Sequence, residues 1–208
     1  MRLGVLASGR GSNLQAILDA SAAPGFPSRV AVVVSDRERA QALDRARANA
    51  VPVVWLNPKD FGEREAYDAA LTGVLAAHGV GLVCLAGFMR ILGPAFVRAW
   101  AGRVLNIHPA LLPAFPGLAA QRQALEYGVK VAGATVHFVD EGVDTGPIVL
   151  QASVPIHPDD TEESLSARIL VEEHRLYPEA IRLFAEGRLT IVGRRVVVRA
   201  AAEGEASR

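Results

Sequence analysis

The chain has 208 residues, 22 basic and 22 acidic side chains, no net formal charge, and half of its residues are apolar. Length and balance suit one globular domain burying roughly 70% of its unfolded surface. The lack of a basic excess argues against a nucleic-acid partner. One cysteine, Cys84, excludes a disulfide framework and any Cys-rich zinc site. No apolar run nears the roughly 18 residues of a membrane helix. Charge and turn residues at Ser8-Gly9-Arg10 break any signal-peptide pattern, so the expected compartment is the cytoplasm.

Residues 3–7 read as a buried strand. Residues 13–22 read as a helix with Leu14, Ile17 and Leu18 on one face. The nearly continuous apolar run 30–34 is typical of a parallel strand covered on both faces. Helix 38–49, the short strand 53–55, helix 63–78 and the central strand 82–86 follow. A short helix over 94–100 opens on Pro94, and an extended segment begins at 104. This alternation predicts an α/β fold with a doubly wound, mostly parallel sheet and a Rossmann-like N-terminal half over 1–100. From there the pattern changes. A helix over 118–127 precedes two longer strands, 132–139 and 148–156, separated by a loop rich in aspartate and glycine. Residues 161–186 read as a long helix, with Asp160 or Thr161 as its cap and Pro178 as a candidate kink. Strands 189–192 and 196–198 form a terminal hairpin, and 199–208 is expected to fray. The second half, 101–198, therefore continues the same domain as a mixed sheet.

Three clusters carry chemistry. Ser8-Gly9-Arg10-Gly11-Ser12-Asn13 follows the first strand and opens the first helix. Its glycines let the backbone approach a ligand, and free N–H groups with the helix dipole favour an anion. Leu14 stands where a dinucleotide fingerprint needs a third glycine, and a P-loop lysine is lacking. A single phosphate fits better, with a plain glycine-rich turn as the alternative. Next, Asn106-Ile107-His108-Pro109 leaves a strand. Side chains two apart on a strand share a face, so an amide and an imidazole face one way, a pair suited to stabilising an oxyanion and moving a proton. Asp144, in the loop after residue 139, is the third candidate, because a carboxylate beside His108 would turn its ring and favour its charged form. Cys84 reads as an inert core thiol. His137 reads equally as core or near-site, and His78, His157 and His174 as helix-end or surface residues. No spacing marks a metal site.

Together, Gly9 to Leu14, Leu85-Ala86-Gly87-Phe88-Met89-Arg90-Ile91-Leu92, Asn106-Ile107-His108-Pro109-Ala110-Leu111-Leu112-Pro113 and the run from Asp140 to Gly146 resemble the phosphoribosylglycinamide formyltransferase family over about residues 1–190. The resemblance implies transfer of a formyl group from 10-formyltetrahydrofolate to the amine of glycinamide ribonucleotide in purine biosynthesis. Asn106, His108 and Asp144 would be catalytic, with His108 as general acid and base. Gly11, Ser12 and Asn13 would hold the phosphate and Glu173 the ribose. Met89, Arg90, Ile91 and Leu92 would line the folate pocket, Asn106, Val139, Asp140 and Asp144 would close its other side, and Arg64 would meet the glutamate tail. A cis Leu112-Pro113 peptide is also implied. The expected ligands are these two small molecules, with no metal, nucleic acid or membrane, and a homodimer is left open by the exposed edges of a mixed sheet. One departure stands out: the family often has histidine after Pro-Gly-Leu, whereas Pro116-Gly117-Leu118 is followed here by Ala119. Relatives acting on tRNA would need a further C-terminal domain, and hydrolase relatives an N-terminal one; 208 residues are expected to leave room for neither.

Overall fold

The computed structural model describes residues 1–200, and the part of the expected tail from 201 on lies outside them. The strands are β1 (Arg2–Leu6), β2 (Arg29–Ser35), β3 (Val53–Trp55), β4 (Leu82–Leu85), β5 (Val104–His108), β6 (Val131–Phe138), β7 (Ile148–Pro155), β8 (Leu189–Val192) and β9 (Arg195–Val198). The helices are α1 (Ser12–Ala22), α2 (Gln41–Ala48), α3 (Arg64–Ala77), α4 (Pro94–Ala99), α5 (Ala120–Tyr127) and α6 (Glu162–Ala185). They build one sheet in the order β3-β2-β1-β4-β5-β6-β7-β9-β8. From β3 to β5 all pairs are parallel; β6 turns antiparallel to β5 and β7 antiparallel to β6. The chain steps outward from β1 to β3, then returns to β4 on the other side of β1. The reversal lies between β1 and β4, where crevices at the carboxyl ends of such sheets open.

Leu3, Val5, Leu14, Ile17, Leu105 and Tyr177 pack into a core between the sheet and α1, α2 and α6. Leu6, Val34, Tyr67, Leu71, Val83, Phe96 and Trp100 form a second core under α3 and α4. Both faces of β1 and β4 are therefore buried, as their unbroken apolar runs predict. Thr161 caps α6 in a capping box with Ser164. The helix runs on through Pro178 as one element.

Two helix starts differ from the expectation. The first turn of the stretch 38–49 is not helical, and α2 begins at Gln41. Ala40 N–H closes a tight turn onto the Arg37 carbonyl, and Ala42 N–H donates to the Gly9 carbonyl, so the entry of α2 braces the glycine loop. Similarly, α5 begins at Ala120 rather than 118, because Phe115, Gly117 and Ala119 all take left-handed conformations and coil the chain before it.

Candidate active site

The loop after β1 is shaped by its backbone. Gly11 adopts φ 73°, and a Cβ there would sit 2.7 Å from the Ala42 Cα, so only glycine fits. Arg45 Nε donates to the Arg10 carbonyl at 2.8 Å and pins the loop from behind. The cavity in front, about 290 Å³, is lined by Ser8 to Asn13, Arg37, Ala86, Gly87 and Met89. Asn13 Nδ2 donates to Glu173 Oε2 at 2.8 Å, which joins two expected substrate contacts from α1 and α6. Burial raises the Glu173 carboxyl, and the Asn13 amide only partly offsets this. The Asn13 Oδ1 is buried without a partner, a polar atom left for a ligand group.

The second cluster is shaped by side chains. Asn106 and His108 share one side of β5, as their spacing predicts, and Asn106 lies opposite His137 in the register with β6. Asp144 reaches them from the loop between β6 and β7. Its Oδ2 lies 3.4 Å from His108 Nδ1 and accepts from Gly117 N–H at 2.8 Å. Its Oδ1 accepts from Asn106 Nδ2 at 3.3 Å and lies 3.5 Å from His137 Nε2. Asn106 Nδ2 also lies 3.1 Å from His137 Nε2. His137 Nδ1 donates to the Phe138 carbonyl, which fixes its ring. His108 Nε2 donates to the Phe115 carbonyl at 2.8 Å, so an imidazolium at 108 has an acceptor at each nitrogen. Burial works to raise the Asp144 carboxyl. Hydrogen bonding with His137 and Gly117 and the charge of both imidazoles outweigh it and hold the carboxyl below its ordinary value.

Asp144 is itself left-handed, at φ 54°. Such a conformation costs a residue with a Cβ on the order of 1–2 kcal/mol and needs support from its surroundings. The support is local. Thr145 Oγ1 and Gly142 N–H both donate to Asp140 Oδ1 at 2.6 and 3.1 Å, Arg98 pairs with Glu141 at 2.8 Å, and Arg194 donates to the Thr145 carbonyl at 3.1 Å. A Cβ on Gly146 would collide with the Phe138 carbonyl. On the other flank, Thr135 Oγ1 donates to the Ala110 carbonyl and accepts from Leu112 N–H. It thereby holds the turn at the Leu112-Pro113 peptide, which is cis.

Between the clusters lies the loop from Gly87 to Leu92. Phe88 is buried beneath it, whereas Met89 and Ile91 are 55% and 68% exposed. Arg90 lies over the Tyr67 ring at 4.7 Å. Exposed Arg64 stands nearby, beside Asp68, whose carboxyl takes a 2.7 Å hydrogen bond from Gly93 N–H. The two arginines expected at the folate site, Arg64 and Arg90, thus gather on one patch. Val139 packs against the α3/α4 core, and Asp140 serves its own loop rather than facing the histidines. Ala119 is exposed at the start of α5, where Gln123 Nε2 fastens the turn to the Leu118 carbonyl.

Sequence reasoning left His137 undecided, gave Ser8 no part beyond membership of the glycine loop, and overlooked the roles of Phe115, Gly117 and Arg194. His137 alone had a signal, since antiparallel pairing of its strand with β5 brings it opposite Asn106. The others act through backbone groups or through contacts that pairing rules do not predict.

A glycine loop at the reversal of a doubly wound sheet, beside an Asn-His-Asp cluster at a strand's carboxyl end, is an arrangement met in α/β enzymes. Residues 1–181 match the formyl transferase family, and the chain belongs to it. It is 52% identical to the phosphoribosylglycinamide formyltransferase of Mycobacterium tuberculosis strain H37Rv, over 93% of this chain and 89% of that protein. The crystal structure of glycinamide ribonucleotide transformylase 1 from Symbiobacterium toebii superposes with a TM-score of 0.95 at 60% identity, covering 96% of this chain and 94% of that one. The trifunctional purine biosynthetic protein adenosine-3 of Drosophila melanogaster is 53% identical over 89% of the chain, which spans 14% of that protein's length.

Proposed function

We propose that this chain, as a single formyl-transfer domain, moves a formyl group from 10-formyltetrahydrofolate to the amine of glycinamide ribonucleotide in purine biosynthesis. The observation that carries the reading is the Asp144 carboxylate, which meets Asn106, His108 and His137 at the carboxyl end of β5. Gly11, Ser12 and Asn13 hold the phosphate and Glu173 the ribose. The exposed apolar groups of Met89 and Ile91, with Leu92, Val139 and the backbone of the 140–144 loop, suit a flat heteroaromatic ring. Arg64 and Arg90 suit a carboxylate tail.

The chemistry is a direct acyl transfer. The amine nitrogen bonds to the formyl carbon, the bond from that carbon to the folate nitrogen breaks, and one proton passes from the amine to the leaving nitrogen. His108, turned by Asp144, donates from Nε2 to the developing oxyanion, which takes the place of the Phe115 carbonyl. The Asn106 amide gives up its longer contact, 3.3 Å to Asp144, to the same oxygen. His108 then gives its Nε2 proton to the leaving nitrogen and recovers one from the attacking amine. Cys84 takes no part, since it is fully buried and burial pushes its thiol up.

Incubation with 10-formyltetrahydrofolate, with and without glycinamide ribonucleotide, tests the reading. Tetrahydrofolate formed only with the nucleotide, together with N-formylated nucleotide, is the expected result. Tetrahydrofolate formed without the nucleotide would make the chain a hydrolase, and none under either condition would make it a binding protein.

A further inference from the structure

β1 and β4 are neighbours at the point where the sheet reverses, and the loops leaving their carboxyl ends are the anion loop and the Gly87 to Leu92 loop. One residue fastens the two together. Ser8 N–H donates to the Gly87 carbonyl at 3.0 Å, and Ser8 Oγ accepts from Met89 N–H at 2.9 Å. The first bond would survive any side chain at 8; the second needs a hydroxyl. Ser8 is 2% exposed, so its acceptor works out of reach of competing water. The loop's far end has its own anchors, Arg90 over Tyr67, Leu92 on the α3/α4 core and Gly93 N–H on Asp68, whereas its near end rests on Ser8 and Phe88. Gly87 turns it with φ 75°, Phe88 is its one buried side chain between Gly87 and Ile91, and Met89 and Ile91 point outward.

We propose that Ser8 is a positioning residue that holds the folate loop and the phosphate loop in one shared geometry, so that occupancy of one tunes affinity at the other. This rests on the assignment of those two loops to folate and phosphate. Ser8 precedes the anion loop directly, and its hydroxyl holds the peptide that opens the folate loop. A ligand that draws the glycine loop in also draws on Met89 N–H. The coupling is reciprocal by linkage.

The test is calorimetric titration of tetrahydrofolate into the full chain, with and without saturating glycinamide ribonucleotide. In the parent, the nucleotide is expected to shift the folate Kd by about 5-fold, a coupling within the usual range. In Ser8→Ala the folate Kd weakens about 10-fold, the loss of one buried hydrogen bond, and no longer responds to the nucleotide. The nucleotide Kd measured without folate weakens less than the folate Kd does, and Ser8→Thr, which keeps the acceptor, restores the response. No coupling in the parent, or the same coupling in Ser8→Ala, overturns the proposal. So does equal weakening of both ligands, which marks a merely structural role. Ile91→Asp separates the two levels of the argument. If it leaves the folate Kd unchanged, the folate loop has been misassigned. If it weakens folate while Ser8→Ala does not, the loop stands and Ser8 alone fails.

Discussion

The loops after β1 and after β5 carry polar sites built in opposite ways. After β1 the groups proposed to bind are backbone N–H donors together with Asn13 and Glu173, and other groups hold the loop from behind: Arg45 on the Arg10 carbonyl, and the start of α2 against Gly11. After β5 the working groups are side chains, and the backbone holds them: Gly117 N–H on Asp144, and the Phe115 and Phe138 carbonyls on the two histidines. A backbone site tolerates many side-chain changes but no added Cβ at its turn. A side-chain site tolerates none of its own replacements. The contrast matches the proposed division between binding and chemistry, because a fixed phosphate needs oriented dipoles, whereas a moving proton needs groups that titrate.

The sharpest way to break this comparison is His108→Ala. Removal of one oxyanion donor and proton carrier is expected to lower kcat about 10²–10³-fold, while the Kd for glycinamide ribonucleotide, measured by titration, stays within about 2-fold. Gly11→Ala should do the reverse. Its Cβ meets Ala42 and its φ is left-handed, so the nucleotide Kd should weaken about 10–100-fold, kcat at saturation should hold, and stability should fall by about 1–2 kcal/mol in urea. His137→Phe keeps the ring volume but removes the partner of both Asn106 and Asp144. A kcat loss of about 10-fold is expected, with a shifted pH-rate profile as its signature.

The smallest expected effect is on stability and concerns Glu173. Its folded pKa lies above its unfolded value, so the native form binds the proton more tightly. Stability therefore falls as the pH rises from the unfolded value towards the folded one. Glu173→Gln should remove that loss and raise Tm at pH 7 by up to about 3 °C, while weakening nucleotide binding. Asp144 has the opposite sign. Its folded pKa is depressed, so its contribution is present above the unfolded carboxylate value and is lost as the pH falls through the folded one. An unchanged Tm for Glu173→Gln across that range would remove the burial cost assigned to this carboxyl.

The two sites also differ in how far the residues announce them. The shape of the glycine loop was legible because its cause is local: glycines between a strand and a helix permit a close backbone approach wherever they occur. Asn106 and His108 were legible as a pair because strand periodicity places them on one face. Asp144 could be nominated but not placed, since its left-handed conformation is supported by Arg98, the 140–145 loop itself and Arg194, from three stretches of chain. The helical pattern of 38–49 and 118–127 was real, yet both starts slipped where turn geometry took over at Ala40 and Ala119. His137 needed the β5–β6 register, and Ser8 needed the strand order, neither of which hydrophobic pattern contains.

The central claim is that Asp144 turns His108 into its catalytic orientation without helping to bind the nucleotide. The direct measurement is single-turnover formyl transfer by Asp144→Asn, alongside its Kd for glycinamide ribonucleotide. The account predicts a rate lowered about 10²–10³-fold with the nucleotide Kd within about 2-fold of the parent. A rate near the parent's, or a loss located wholly in nucleotide affinity, would contradict it.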